Sequence, residues 1–199
     1  MTISPIRLAL LRHGHTSWNR AGRIQGRSDI ALDEAARTEL AGQSLPSPWA
    51  TAALVASPLT RAMDTAQLVA GQRPTPVPEM VEMNWGAWEG LHGADLRADP
   101  ASGFRDIERW GWDYRPPDGE TPREVWARLE PWVCSLTKDT VAVCHIGIMR
   151  VILAQAYGWD FDGPAPFRIK RNRLFVVEIS AGALTPWSEP VRLLKRDGA

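Results

Sequence analysis

A chain of 199 residues with 44% hydrophobic and 23% charged residues has the length and composition of one globular domain with a substantial core. Its 23 basic and 23 acidic side chains give a formal net charge of zero, which argues against a general nucleic-acid or anionic-membrane binder. No apolar stretch approaches the ~20 residues of a membrane span, so we expect a cytoplasmic protein. The two cysteines, Cys134 and Cys144, lack zinc-site spacing and are expected to be small buried hydrophobes.

Alternating strands and helices are predicted over the first part of the chain. Short apolar runs at 6–11 and 53–56 are typical of strands buried on both faces. A helix is predicted over 33–42, with an aspartate as its N-cap. Another is predicted over 57–71, with a serine N-cap, a proline in its first turn and a glycine at its end. A short strand is expected at 77–81.

Residues 84–120 differ in character, because tryptophans and charged side chains are interspersed with turn residues. We predict an irregular, partly helical insertion here, in which most of the tryptophans pack onto the body of the protein. A helix is then predicted over 121–136, from a threonine cap, a proline and a capping-box glutamate. The pattern ends with strands at 140–144, 174–179 and 191–194 and a helix at 147–157.

This alternation predicts an α/β fold, namely a three-layer α/β/α sandwich with a mostly parallel central sheet, in a single domain over residues 1–199. Ligands in such folds bind at the carboxyl ends of the strands. Polar side chains follow three of the predicted strands: Arg12 and His13 the first, Arg61 the second and His145 the third. The topology therefore places these side chains at one edge of the sheet.

Two arginines and two histidines at one edge indicate a site for a phosphate group. Guanidinium groups pair well with phosphate oxygens, and backbone N–H groups of the helix after His145 would add donors. A neutral histidine is also a nucleophile towards phosphorus, and neighbouring arginines lower its pKa and keep it neutral. A zinc site built from the histidines is disfavoured, because they lack helix-face spacing and arginines would repel the metal. His15 and His92 are expected to be structural.

Several segments, in chain order, resemble the histidine phosphatase superfamily in its phosphoglycerate-mutase-like, cofactor-dependent branch. They are LRHGHTSWN at 11–19, GRIQGRSDIAL at 22–32, SPLTRA at 57–62, the stretch at 82–90, GET at 119–121, and Cys144-His145. The resemblance runs from about Ile6 to Arg150. It implies that His13 is the nucleophile that becomes phosphohistidine. It also implies that Arg12, Arg61 and His145 hold the phosphate, with Asn19 as a further donor.

Glu82 matches the family's acid, which protonates the leaving-group oxygen and afterwards takes a proton from water. General acid help of this kind is worth ~10²–10⁴ in rate. We expect burial against apolar neighbours to raise the pKa of this carboxyl. Gln25 and Gly26 match positions at the substrate mouth, and the insertion at 84–120 is expected to form a lid over the active site. The resemblance implies no metal and no organic cofactor.

Two departures from the branch bear on function. Ile146 stands where the second catalytic histidine is usually followed by a glycine; it keeps the N–H for the phosphate but adds bulk beside the pocket. Met83, Trp85 and Gly93 stand where glycolytic mutases carry an arginine, a tyrosine and a lysine for the substrate carboxylate. An apolar, aromatic wall without that cationic clamp favours a phosphatase. Trp85 is the first candidate to line the substrate mouth.

The sequence thus predicts a phosphohydrolase that acts on a small phosphorylated metabolite with a partly apolar or flat leaving group. Phosphoglycerate mutase activity is the alternative among enzymes, and an inactive phosphate-binding or interaction module is the alternative from another class. Sugar phosphates, nucleotide-loop phosphates of cobamide synthesis and general phosphomonoesters remain open as substrates. We expect neither a nucleic acid nor a membrane as a partner. The sequence predicts no particular oligomeric state.

Overall fold

The computed structural model describes residues 5–187 and 189–196. The strands are β1 (Ile6–Arg12), β2 (Gln43–Ser44), β3 (Ala53–Ala56), β4 (Thr75–Pro76), β5 (Thr140–Cys144), β6 (Arg173–Ser180), β7 (Ala183–Pro186), β8 (Val191–Arg192) and β9 (Leu194–Lys195). The α-helices are α1 (Ser17–Arg20), α2 (Glu34–Ala41), α3 (Thr60–Ala70), α4 (Gly93–Ala98), α5 (Pro122–Cys134) and α6 (Ile146–Tyr157). Short 3-10 helices lie at Trp49–Thr51, Pro78–Met80, Gly86–Trp88 and Pro100–Ser102.

The main sheet has the strand order β4-β3-β5-β1-β6-β7, and β8 also pairs with β6. The strands β1, β3, β4 and β5 run parallel to one another, whereas β6 runs antiparallel to β1. The strands β2 and β9 form a separate antiparallel pair. The prediction of a mostly parallel central sheet with helices is confirmed.

Side chains of the central strand β1 alternate between two cores. Leu8 and Leu10 pack in one core with α5 and α6, while Ala9 and Leu11 pack in the other with α2 and α3. A strand covered on both faces requires such an unbroken apolar run. The helices therefore form one layer on each side of the sheet, which confirms the three-layer sandwich.

The parallel strands bring their carboxyl ends to one edge of the sheet. The N–H of His13 donates to the Cys144 carbonyl at 2.9 Å, and the N–H of Ser57 donates to the Val143 carbonyl at 2.9 Å. Both bonds extend the parallel ladders by one residue beyond β1 and β3. The segments that follow these strands consequently leave the sheet side by side.

The boundaries of α2 and α3 agree with the sequence signals at two places and differ at one. The Asp33 side chain caps α2, and Gly71 ends α3 in the left-handed conformation at φ 70°. The prediction that Ser57 caps the next helix is wrong, because α3 begins at Thr60. Ser57 stays in the ladder, and its hydroxyl lies 2.7 Å from a ring nitrogen of His145.

Two further sequence predictions are wrong. Residues 77–81 do not form a strand, because Pro78–Met80 is a 3-10 helix; the pairing with β3 lies earlier, in β4. A proline has no N–H to give to a ladder, so the chain turns here. Cys134 is exposed rather than buried, since it lies at the end of α5, just past the core residue Val133.

Residues 84–120 consist of two 3-10 segments, the short helix α4 and connecting turns, as predicted for a partly helical insertion. The helix α5 begins with the predicted capping box, in which Thr121 and Glu124 each bond to the other's backbone N–H. Within the described ranges, none of the helices combines the length and apolar character needed to cross a membrane.

Candidate active site

The two histidines at the sheet edge lie next to each other. Their ring centroids are 5.2 Å apart, although His13 follows β1 and His145 precedes α6. His13 is 3% exposed and His145 is fully buried. The pairing of β1 with β5 brings them together, because the two parallel strands end at the same level.

A backbone contact fixes the protonation of the His13 ring. Its Nδ1 lies 2.6 Å from the Gly14 carbonyl. Because a carbonyl oxygen only accepts, Nδ1 carries the proton and Nε2 keeps its lone pair. Burial, and then the charges of Arg61, Arg12 and Arg171, hold the pKa of His13 well below the usual 6.5. The ring is therefore neutral and nucleophilic at Nε2.

Arg61 and Ser57 fix the opposite tautomer of His145. Arg61 donates from Nε to Nδ1 of His145 at 3.3 Å, so the proton of the ring is on Nε2, which donates to Ser57 Oγ at 2.7 Å. Nη1 and Nη2 of Arg61 donate to the Ser28 carbonyl at 2.8 Å and to the Gly26 carbonyl at 2.6 Å. Burial is the main cause that lowers the pKa of His145 well below 6.5.

A cavity of about 170 Å³ opens beside His13. Its walls are formed by Arg12, His13, Asn19, Arg23, Ile24, Gln25, Glu82, Trp85, Phe104 and Ile146. Two buried donors on these wall residues, Nε of Arg12 and Nε2 of Gln25, have no hydrogen-bond partner within the described part of the chain. Burial lowers the pKa of Arg12 to about 9, so it remains a cation at neutral pH. An anion in the cavity would satisfy both donors.

Asn19 orients the amide of Gln25. The Oε1 atom of Gln25 accepts from Asn19 Nδ2 at 3.1 Å and from the Thr16 hydroxyl at 2.8 Å, which assigns Nε2 as the free donor. The Oδ1 atom of Asn19 accepts from Nη2 of Arg171 at 2.9 Å. Asn19 thus binds other protein groups, and Gln25 supplies the unpartnered donor that the sequence assigned to Asn19.

Glu82 lies on the same cavity with its carboxylate almost fully buried, at 1% exposure. Its Oε1 accepts from the N–H of Met83 at 2.8 Å and its Oε2 from the N–H of Gly147 at 3.1 Å. Burial raises the pKa of Glu82 above the usual 4.5, while these two N–H bonds oppose the shift. A Cβ on Gly147 would lie 2.4 Å from Oε1, so only glycine fits against the carboxylate.

Apolar and aromatic side chains form the outer wall of the cavity. Trp85 and Phe104 come from the 84–120 segment, and Ile146 comes from the start of α6. Trp85 is 9% exposed and contacts Trp110 edge-to-face at 5.3 Å. The remaining tryptophans of the segment pack in the hydrophobic core or against it, as the sequence predicts for most of them.

Three residues predicted at the site are not on the cavity wall. His145 is fully buried next to His13, Arg61 is fully buried next to His145, and Gly26 is buried, with its carbonyl accepting from Arg61. A Cβ on Gly26 would clash with Glu89, whose carboxylate holds the following turn. Gly26 therefore positions the arginine rather than lining the mouth.

Sequence reasoning missed two arginines near the site. Arg171 donates from Nε to the His13 carbonyl at 3.1 Å, from a loop with no periodic pattern that could have indicated it. Arg150 lies one turn after Ile146 on α6, and the two line a second cavity of about 170 Å³. A charged residue within the apolar run of this helix was a signal for that position.

Among residues 5–187 and 189–196, no group of three or more His, Cys, Asp or Glu side chains is arranged to hold a metal ion. The donors that meet at the cavity are nitrogen cations and amides, which suit an anion.

Comparison with known proteins identifies relatives along nearly the whole chain. Residues 8–186 match the histidine phosphatase superfamily (branch 1). Glucosyl-3-phosphoglycerate phosphatase of Mycobacterium tuberculosis is 36% identical over 166 residues, covering 74% of this chain and 74% of that protein. Adenosylcobalamin/alpha-ribazole phosphatase of Escherichia coli K12 is 28% identical over 193 residues, covering 88% of this chain and 91% of that protein. A solved structure of the mycobacterial glucosyl-3-phosphoglycerate phosphatase with VO3 superposes at a TM-score of 0.75, with 26% identity over 94% of this chain and 98% of that chain.

Proposed function

We propose that this chain hydrolyses small phosphomonoesters through a phosphohistidine on His13. The chain belongs to the histidine phosphatase superfamily (branch 1) and is a phosphatase. One observation carries this proposal. His13, whose Nε2 is unprotonated, lines the same cavity as Arg12 and Gln25, which carry the two unpartnered donors. A phosphate group that accepts from both donors places its phosphorus beside a nucleophile.

In the first step, the Nε2 lone pair of His13 attacks phosphorus and forms a P–N bond. The bond from phosphorus to the ester oxygen breaks, and its electron pair stays on that oxygen. Glu82 protonates the oxygen, so an alcohol rather than an alkoxide leaves. The raised pKa of Glu82 supports this role, because the carboxyl must hold a proton at the start.

In the second step, water attacks the phosphohistidine. The carboxylate of Glu82 takes a proton from this water, a P–O bond forms, and the P–N electron pair returns to Nε2 of His13. Inorganic phosphate leaves and Glu82 is protonated again. The one carboxyl acts as acid and then as base, so no further titrating group is required.

We assign the direct phosphate contacts to Arg12 and Gln25, and a supporting role in the phosphate site to Arg61 and His145, whose side-chain nitrogens bind other protein groups. Arg61 contributes its charge and fixes the ring of His145. Asn19 aims the amide of Gln25. The N–H of Ile146 and the start of α6 add positive dipole to the same edge.

The aromatic wall selects the leaving group in this proposal. Trp85, Phe104 and Ile146 offer flat and apolar surface at the cavity mouth, and the 84–120 segment acts as a lid that contributes two of these side chains. The relatives are named for glucosyl-3-phosphoglycerate and alpha-ribazole substrates, which indicates that leaving groups in this family can be bulky. We therefore propose a small phosphorylated metabolite whose leaving group is partly apolar or flat.

The test is turnover of p-nitrophenyl phosphate and of 3-phosphoglycerate by the wild type, His13→Ala and His15→Ala. His15 is a matched control, because it is the same residue type two positions away and does not line the cavity. We expect phosphate release by the wild type and by His15→Ala, and a loss of at least ~10³-fold in His13→Ala. A rapid alkaline quench should trap one phosphoryl group on His13.

Three results would contradict the proposal. Isomerisation of 3-phosphoglycerate without net phosphate release would show a mutase. Phosphate binding without turnover of any phosphomonoester would show a binding module. Undiminished turnover by His13→Ala would show that another residue attacks phosphorus.

A further inference from the structure

A groove of about 490 Å³ lies away from the catalytic cavity, between the end of α6 and the strands β6 and β8. It is lined by Leu153, Tyr157, Pro166, Phe167, Arg168, Lys170, Arg173, Phe175, Val176, Trp187, Glu189, Pro190 and Arg192. None of these residues is on the wall of the catalytic cavity. Its volume is in the range of small-molecule sites, ~300–1,000 Å³.

Positive charge is concentrated in this groove. Arg168, Lys170, Arg173 and Arg192 line it, against a single acidic side chain, Glu189. Across the described ranges of the chain, none of the four cations has an ion pair or a side-chain hydrogen bond, whereas eight other arginines pair with carboxylates. The chain as a whole has zero net charge, so this local excess is not a property of its composition.

The sheet itself places two of these cations together. Arg173 on β6 lies directly opposite Arg192 on β8 in the antiparallel register. Like charges at opposed positions of a strand pair destabilise it. A bound polyanion would convert this repulsion into two favourable contacts.

Aromatic rings supply the rest of the lining. Tyr157, Phe167 and Trp187 are half-buried, so each ring keeps part of its surface in the groove. The indole N–H of Trp187 donates to Glu178 at 2.9 Å, and Phe167 packs on Tyr157 with ring centroids 5.4 Å apart. These contacts hold the rings in place as surfaces on which a flat group can stack.

We propose that this groove is a second ligand site that binds a nucleoside diphosphate, with its base against the rings and its phosphates between the cations. The four cations exceed what a single phosphate requires, which favours two linked phosphates. The aromatic lining favours a ligand that also carries a ring.

The test is calorimetric titration with adenosine 5′-(α,β-methylene)diphosphate, whose terminal phosphorus–carbon bond resists hydrolysis. Lys170→Gln/Arg192→Gln removes two exposed groove cations. Lys138→Gln/Lys195→Gln is the matched control, because it removes two exposed positive charges elsewhere. We expect the groove variant to weaken binding about tenfold. We expect the control variant, and the catalytic-cavity variant Arg12→Gln, to bind like the wild type.

Turnover of p-nitrophenyl phosphate checks that the groove variant is folded, and it should equal that of the wild type. No measurable binding by the wild type would overturn the proposal. So would a loss of binding in Arg12→Gln with none in the groove variant, since the probe would then occupy the catalytic cavity. Equal losses in the groove and control variants would show non-specific attraction. Binding of inorganic pyrophosphate as tight as that of the nucleotide analogue would overturn the role of the rings.

Discussion

Two regions face each other across the catalytic cavity, and different forces hold them. At the sheet edge, a backbone hydrogen bond of 2.9 Å continues the ladder of β1 as far as His13. The 84–120 segment consists of short helices and turns. It is held by contacts between rings, such as that of Trp85 with Trp110 at 5.3 Å, and by separate backbone hydrogen bonds, such as that from the N–H of Gly90 to the Ile24 carbonyl at 2.9 Å. One side of the cavity is therefore built on a continuous strand ladder, and the other on side-chain packing with separate backbone hydrogen bonds.

This difference indicates on which side of the cavity atoms must be placed precisely. A ladder leaves little freedom to the atoms it positions, whereas a packed apolar cluster tolerates exchange of one side chain for another of similar volume. Attack on phosphorus requires close placement of the nucleophile. Contact with a leaving group tolerates larger displacements of the contacting side chain. We expect substitutions at the sheet edge to lower kcat for every phosphomonoester, and substitutions in the 84–120 segment to change KM for particular substrates.

After His13→Ala, Arg61→Met should give the largest effect on the sheet-edge side. The buried carbonyl of Gly26 would lose its donor, at a cost of ~1–3 kcal/mol, and the half-buried carbonyl of Ser28 would lose its donor at a smaller cost. We expect kcat to fall ~10²–10³-fold, because a positioned cation is lost. Urea unfolding and steady-state kinetics measure the two effects. Arg37→Met is the control; its partner is Asp64 near the surface, and it should cost ~0–1 kcal/mol with kcat unchanged. A wild-type kcat in Arg61→Met would contradict the assignment.

Gly147→Ala tests the placement of the acid. The new Cβ would lie 2.4 Å from Oε1 of Glu82 and 3.2 Å from Cβ of Met83, so the carboxylate must move. We expect kcat for an alkyl phosphate to fall ~10²-fold, and less for p-nitrophenyl phosphate, whose leaving group needs little protonation. Gly93→Ala is the control, since its nearest neighbour is Cγ1 of Ile24 at 4.0 Å. Equal losses with the two substrates would argue against Glu82 as the acid.

The pH dependence of kcat/KM should show the titration of both His13 and Glu82. Burial and three arginines lower the pKa of His13 below 6.5. The rate rises as pH rises through this lowered pKa, so the acid limb of kcat/KM lies below pH 6.5. Burial raises the pKa of Glu82 above 4.5, and the rate falls as pH rises through it, which gives the alkaline limb. Glu82→Gln should keep the acid limb and lose the alkaline one. An unchanged profile in that variant would assign the alkaline limb to another group.

The placement of the sheet-edge residues followed from the sequence for a physical reason. Short apolar runs predict buried strands, parallel strands end at one edge, and so Arg12, His13 and His145 had to meet there. Glu82 and Trp85 were placed only through the family resemblance, since no periodic pattern surrounds them. The structure adds what the motifs did not contain, namely the hydrogen bonds that set each tautomer.

Of the two arginines that sequence reasoning missed, Arg150 lies on α6 and Arg171 lies in a loop. Arg171 lies 158 positions from His13, and its contact with that carbonyl depends on the path of the segment before β6. Ser57 had a good local explanation as a helix cap, but the tertiary contact with His145 decided its role in the fold. Local signals are weak wherever the backbone is irregular, because tertiary contacts then choose among several acceptable conformations.

Trp85→Leu should give the smallest effect of these variants. It tests the contribution of the 84–120 segment, which faces the sheet edge across the cavity. Loss of the ring removes a wall for flat leaving groups and the contact with Trp110, so KM for p-nitrophenyl phosphate should rise ~3–10-fold. Inhibition by inorganic phosphate should stay unchanged, because phosphate has no leaving group to contact the wall. Trp132→Leu is the matched control, since Trp132 is half-buried on α5 and does not line the cavity. Weaker inhibition by phosphate in Trp85→Leu would mean that the aromatic wall also shapes the phosphate site, and the division between the two regions would fail.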